Sequence, residues 1–323
     1  MPYLPQMQLF ATAQPYEFQG RRATLGEHLG YQPESKLAII GADDFGLCES
    51  VNQAVVELFC AERITSTSIL TPAQAAAAAL QAAEKHSIPC GIHLTFNSDF
   101  IAAPIKPVLE SNSLSSLVDS SGNLSLDVEA FSLRAGREEV ELEAVAQIDR
   151  CLASGVEITH LDSHEGTLQL NERFIDLYFD LAAHYALPLR AGSEALLSEL
   201  GLVTDWLGRA HAQGLHFPDS LAYIPLYAFD TVAAKEEYLA KLVAEMPPGV
   251  TEFYFHPCGD SEEARRLLPT SPQAQSLPDP ELAWKVRALD FEILRAGRFH
   301  TLLAEAGVQI IDFGPLKRLS RNN

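Results

Sequence analysis

The chain has 323 residues, with 23 Lys+Arg against 43 Asp+Glu, a formal net charge of −20 with histidine neutral. Its 47% hydrophobic content is what a disordered chain of this charge lacks. The acid surplus argues against a nucleic-acid binder, which needs a basic face to displace counterions, and against adhesion to anionic membranes.

The length suits about two ordinary domains, or one α/β barrel of roughly 250 residues with insertions. No apolar run approaches the ~20 residues of a transmembrane helix. The opening MPYLPQMQLFATAQPYEFQG lacks a basic n-region and is broken by prolines, so it does not read as a signal peptide. Five cysteines (Cys48, Cys60, Cys90, Cys151 and Cys258) are odd in number, scattered and never in a CxxC pair. They read as small buried hydrophobes in a reducing cytoplasm rather than as disulfides or thiolate metal ligands.

Residues 1–35 are irregular and rich in Pro, Gln and Gly, and read as an extension laid on the surface of a domain spanning 36–323. The apolar run 36–41 predicts a buried strand that exits through Ala42-Asp43-Asp44-Phe45-Gly46. Ser50 suits an N-cap for a helix through Val51, Val55, Leu58 and Phe59. A strand at 65–70, a helix at 73–86 and a strand at 89–95 follow, an order that favours a parallel sheet with right-handed crossovers. The stretch from 97 to about 134 breaks this rhythm, being long and rich in Ser, Asn, Gly and Pro, as lids and disordered loops are. Beyond it come a helix at 138–153, a strand at 156–161, a helix at 171–185 and a short strand at 187–190. A helix at 235–245, a strand at 251–255, a polar loop at 261–280, a helix at 281–296 and a strand at 308–312 complete the chain. Some seven strands alternating with helices, without an internal repeat, predict a single α/β domain, a distorted or incomplete TIM-like (β/α) barrel with loop insertions.

In such barrels the chemistry sits at the C-terminal ends of the strands. Four polar motifs fall there: Asp43-Asp44, His93, His160-Leu161-Asp162-Ser163-His164, and His256. Aspartate with neutral histidine is the usual oxygen and nitrogen set for a catalytic divalent ion, and three protein ligands leave the open position that hydrolysis needs. Each element alone has a plainer role. The Asp pair could cap a turn, His93 could be a hydrogen-bonded core residue, one imidazole of the 160–164 pair could support the other, and His256 before Pro257 could belong to a turn. Coincidence of all four at one rim favours a site. His28, His86, His184, His211, His216 and His300 fall on expected helices or loops away from the strand-end motifs, without acidic partners, and read as packing or surface residues.

Ile39-Ile-Gly-Ala-Asp-Asp-Phe-Gly-Leu47, then Val51-Asn52 and Ile64-Thr-Ser-Thr-Ser68, resemble the opening of the YdjC-like carbohydrate deacetylases. Gly91-Ile-His-Leu94, Thr159-His-Leu-Asp-Ser-His164, Leu187-Pro-Leu-Arg190 and Phe255-His-Pro257 continue the likeness in order. The resemblance implies metal-dependent removal of acetyl from an N-acetylated mono- or oligosaccharide. By that likeness Asp44, His93 and His164 match metal ligands, Asp43 the catalytic base and His256 the acid serving the leaving amine. His160, Asp162 and Arg190 match orienting positions: Arg190 would keep Asp43 ionised, and Asp162 would fix the tautomer of a ligand histidine. The ion is a divalent metal, Mg²⁺ or Zn²⁺ first, with Mn²⁺, Co²⁺ and Ni²⁺ also admitted by the donor set. Where members of the family often carry further histidines after Asp-Ser-His, this chain has Glu165-Gly166-Thr167, which puts chitooligosaccharide as the particular substrate in doubt. Other readings left open are a metal-dependent hydrolase of another amide or ester, including a phosphoester, and a non-catalytic sugar-binding relative. A homo-oligomer is left open too.

Overall fold

The computed structural model of the chain describes residues 9–12, 15–125, 127–191, 206–269 and 283–321. Among them the strands are β1 (Phe10–Thr12), β2 (Tyr16–Phe18), β3 (Arg21–Ala23), β4 (Lys36–Phe45), β5 (Ser66–Ile69), β6 (Cys90–Leu94), β7 (Ile158–Ser163), β8 (Ser220–Ala222), β9 (Gly249–Phe255) and β10 (Gln309–Ile310). Six of them form a curled parallel sheet in the order β8-β9-β4-β5-β6-β7, and β1 adds an antiparallel edge on β8. The 187–190 segment, expected as a strand, is reduced to one bridge, Leu161 to Leu189. Its backbone still carries the curl onward. Arg190 N–H donates to Leu161 O and Leu189 N–H to His216 O, just ahead of β8. The result is a distorted TIM-like barrel.

β4 is the pivot. Leu37 and Ile39 turn toward a small inner cluster with Val250, Leu25, Tyr16, Phe313 and Leu316, whereas Ala38 and Ile40 join the main core under the helices. This two-sided burial is why its sequence reads as a continuous apolar run. β10 is shorter than expected and pairs with β4 at Leu37 and Ala38. The helix expected after β4 begins at Glu49, with Cys48 in the capping position. Ser50 is therefore not the cap; its hydroxyl sits against Ser261 Oγ and Glu263 Oε2, at 2.6 and 2.9 Å.

The segment before residue 36 is more ordered than its composition suggests. β2 and β3 form a hairpin, and Thr24 with Glu27 builds a capping box on the turn Leu25–His28. Asp219 accepts N–H groups from Leu25, Gly26 and Val250 at 2.6, 3.0 and 2.8 Å, fastening this turn to the barrel. Tyr16 lies flat on His211, with ring centroids 3.5 Å apart, and shares a 2.9 Å hydrogen bond with His216 Nδ1. Burial drives the pKa of His216 down to about 4 and that of His211 to about 3. A histidine held neutral in the fold stabilises it fully above its unfolded pKa of about 6.5, and this stability drains away as pH falls toward the folded value. We expect Tm to drop between pH 6.5 and 4.5 and His216→Asn to flatten that slope in thermal melts. An unchanged slope would put the acid sensitivity elsewhere.

The insertion at 97–134 is packed, with Leu114, Leu117, Leu124 and Phe131 buried and a helix at Val128–Arg134. Glu143, on the helix Arg137–Leu152, accepts the N–H groups of Val108 and Leu109 and so fastens the insertion down. The expected loop at 261–280 opens with a helical turn, Glu262–Arg265, and its residues 270–280 lie outside the described ones. The helices expected at 171–185, 235–245 and 281–296 appear as Ile175–Tyr185, Val232–Glu245 and Ala283–Arg295. Among the described residues no helix is long and apolar enough to cross a membrane.

Candidate active site

Adjacent residues on a regular strand point to opposite faces, so Asp43 and Asp44 should part company. They do not. The β4–β5 register shifts between Ala42 and Phe45, and Asp44 adopts φ +69°, a left-handed conformation that aspartate tolerates better than most residues. This bulge brings both carboxylates into one buried cluster.

Asp44 faces the two histidines. Its Oδ1 lies 3.5 Å from His93 Nε2, at the end of β6, and 3.3 Å from His164 Nδ1, in the turn after β7. The three atoms lie within 4.8 Å of one another. All three side chains are buried, yet Asp44 Oδ1 receives no hydrogen bond. An orphaned buried carboxylate oxygen is costly unless something positive meets it. A tetrahedral ion with bonds of about 2.1 Å holds its ligand atoms roughly 3.4 Å apart, close to the separations seen. The donor set and its spacing therefore fit a divalent cation. The alternative trio of Asp43, His93 and Asp162 fits less well, because an arginine already neutralises both carboxylates and Asp162 occupies His93 Nδ1.

Each imidazole has a carboxylate behind it. His93 Nδ1 is 2.7 Å from Asp162 Oδ1, and His164 Nε2 is 3.0 Å from Asp99 Oδ1. Burial alone would lower the pKa of both rings, but the acids outweigh it: Asp162 and Asp44 bring His93 up to about 9, and Asp99 and Asp44 hold His164 well above its usual value. Burial opposes ionisation of Asp44, and Arg287 with the two imidazoles overcomes it, keeping the carboxyl well below its normal range. The cluster thus attracts positive charge to the very atoms that converge.

Arg190 organises the other half. Its guanidinium bonds Asp43 through two nitrogens at 2.7 and 2.9 Å, reaches Asp162 Oδ2 at 3.1 Å and bonds Glu252 Oε1 at 2.8 and 3.0 Å. Tyr178 fixes its backbone, its hydroxyl lying 2.9 Å from the carbonyls of Leu161 and Arg190. Ser68 Oγ bridges Asp43 Oδ1 at 3.3 Å and His93 Nδ1 at 3.2 Å. His256, after β9, places Nε2 3.9 Å from Asp43 Oδ2 and remains partly exposed. Burial lowers its pKa, so the ring is neutral at rest. Its backbone N–H is held by Asp290.

His160 is the one predicted site residue that stands apart from the cluster. Its ring stacks on Phe313 at 3.9 Å, and its Nδ1 pairs with Thr159 Oγ1. It fills the space beside Gly91, where any Cβ would come within 2.3 Å of the ring. Glycine there is required by the histidine beneath it.

Asp99, Arg287 and Glu252 join the site without having been predicted. Asp99 follows β6 by five residues and was legible as a strand-end acid. Glu252 is a lone charge inside the otherwise uncharged β9. Arg287 comes from the helix Ala283–Arg295, where nothing in the local sequence marks it. Its Nη1 lies 2.6 Å from Asp44 Oδ2, outside hydrogen-bond geometry. It is a second cation at this rim, beside Arg190.

Fold and site together define an α/β barrel carrying a buried Asp–His–His cluster of metal-ligand type at the C-terminal ends of its parallel strands. The family model described as YdjC-like protein matches residues 37–305, and the chain belongs to that family. A carbohydrate deacetylase of Thermoanaerobacter pseudethanolicus is 30% identical over 229 residues, 71% of this chain and 83% of that protein. One from Enterococcus faecalis is 30% identical over 211 residues, 65% of this chain and 74% of its own length. A crystal structure from Enterococcus faecalis, provisionally described as a cellobiose-phosphate cleavage protein, superposes with a TM-score of 0.71 at 27% identity, over 87% of this chain and 99% of that one.

Proposed function

We propose that this chain is a metal-dependent hydrolase that removes acetyl groups from N-acetylated sugars. The observation that carries the reading is the convergence of Asp44 Oδ1, His93 Nε2 and His164 Nδ1 around a carboxylate oxygen without a hydrogen-bond donor. These three residues would hold the ion; Asp162 and Asp99 would fix the tautomers of the two histidines. A bound divalent ion lowers the pKa of water from ~15.7 toward ~7 and polarises an acyl carbonyl.

The chain's own residues do the rest. Asp43 accepts the proton from the attacking water, and Arg190 holds it in place with two charge-assisted bonds. His256, neutral at rest, must gain a proton before it can serve a leaving amine. Asp43 Oδ2 at 3.9 Å is a nearby source, so a proton taken on one side of the scissile bond has a short path to the other. Proton transfer of this kind contributes roughly 10²–10⁴-fold. His160, within β7, stacks on Phe313 and faces Gly91 of β6.

Arg287 favours one second reading. A phosphoester substrate wants cations at the rim, and the site holds two arginines instead of one. Both are already committed, Arg190 to three carboxylates and Arg287 to Asp44, so neither has charge to spare for a phosphate. Deacetylation remains the better fit.

Chelation should abolish acetate release from N-acetylglucosamine oligomers, and adding back Zn²⁺ or Mg²⁺ should restore it. His93→Ala should bind less than a tenth of the wild-type metal content by elemental analysis. Full metal retention by His93→Ala would remove His93 from the ligand set.

A further inference from the structure

The ligand carboxylate carries a second cation. Arg287 is buried, its guanidinium lies 5.2 Å from the Phe100 ring centroid, and its Nη1 meets Asp44 Oδ2 at 2.6 Å. Its backbone carbonyl accepts the N–H of Cys258, which ties the helix Ala283–Arg295 to the segment after β9. Asp44 therefore presents one oxygen to the two histidines and the other to a permanent positive charge.

We propose that Arg287 is a built-in counter-cation: it stabilises the metal-free site and weakens the site's hold on a divalent ion, making the ion exchangeable. This rests on the metal reading above. A thermodynamic cycle couples the two cations. Asp44 is fully buried in a left-handed backbone conformation, and a buried carboxylate without a partner is strongly destabilising. In the metal-free chain Arg287 supplies the partner beside the two imidazoles, and an ion can take over that role. Because Arg287 supplies it permanently, an arriving ion relieves less and is also repelled by the guanidinium on the same carboxylate.

The sign is opposite to that of the carboxylates behind the histidines. Asp162 and Asp99 raise the basicity of their ligands, and losing such partners weakens metal binding by about 10–100-fold. A cation on a ligand lowers its basicity, so losing it should tighten binding. Asp44 keeps its position without Arg287 because β4 and its bulge set the backbone.

The test uses the full chain stripped of metal by a chelator. Zn²⁺ affinity is read by competition with a chromogenic chelator, and Tm is read with and without Zn²⁺. For Arg287→Met, which keeps the apolar bulk against Phe100, we expect the metal-free Tm to fall by about 5 °C. The Zn²⁺-induced rise in Tm should grow and Kd tighten tenfold or more. Arg287→Lys should stay within about threefold of wild type because it keeps the charge. Asp99→Asn should move the other way, by about tenfold or more. Folding of Arg287→Met only in the presence of Zn²⁺ would support the proposal. A Kd unchanged or weakened in Arg287→Met, or failure to fold even with Zn²⁺, would overturn it. Wild type that binds no Zn²⁺ would overturn the metal reading and this inference together, whereas wild-type binding without tightening in the variant sinks the inference alone.

Discussion

Replacing Asp43 by asparagine is expected to cut acetate release by about 10²–10⁴-fold while metal content stays at the wild-type level. The change is nearly isosteric and removes the proton acceptor without touching Asp44, His93 or His164. Folding should tolerate it, for a physical reason. Arg190 serves three buried carboxylates, Asp43, Asp162 and Glu252, so neutralising one of them relieves an excess of negative charge. Near-wild-type turnover in this variant would mean that another group is the base. Loss of metal would mean that Asp43 belongs among the ligands.

Removing Arg190 should have the opposite character, a loss of stability ahead of any loss of chemistry. Arg190→Met would leave those three carboxylates buried without the guanidinium that pairs them. Burial already pushes the Glu252 carboxyl up, and Arg190 is the main opposing influence. Breaking a buried pair by deleting one member costs about 3–5 kcal/mol. For a chain of this size that corresponds to a Tm lowered by roughly 5 °C. Arg190→Lys should recover part of it, since the charge remains and the two-pronged geometry does not. Denaturant titrations give the number, and a cost under about 1 kcal/mol would show that the carboxylates take up protons instead.

The predictable part of this site lay where chemistry and periodicity coincide. β4, β6, β7 and β9 are apolar runs that end in Asp, His or both, so the barrel rule alone brings Asp43, Asp44, His93, Asp162, His164 and His256 to one rim. What periodicity misses is any departure from regular geometry. The bulge at Asp43-Asp44 leaves no compositional trace, yet without it one of the two carboxylates would face away. The three-residue strands β1, β2 and β3 are too short to show a pattern, and so the N-terminal segment read as irregular although Tyr16 and Leu25 close the inner core. Arg287 projects inward from a helix that otherwise alternates like any surface helix, and only tertiary packing reveals where its charge goes. His160 shows a different geometry. It shares a strand face with Asp162 two residues on, but it sits deeper in the barrel, where Gly91 makes room for its ring.

The departure after His164 also takes physical form. Glu165 adopts φ +50°, Asn97 donates an amide hydrogen to its carboxylate at 2.6 Å, and burial pushes that carboxyl up to about 7.

The most direct test is to incubate the metal-loaded chain with N-acetylglucosamine oligomers and, separately, with sugar phosphates, and to quantify acetate, free amine and inorganic phosphate. The account predicts acetate and amine in equal amounts, abolished by chelation, with no phosphate released. Phosphate without acetate, or acetate release that persists after complete metal removal, would contradict it.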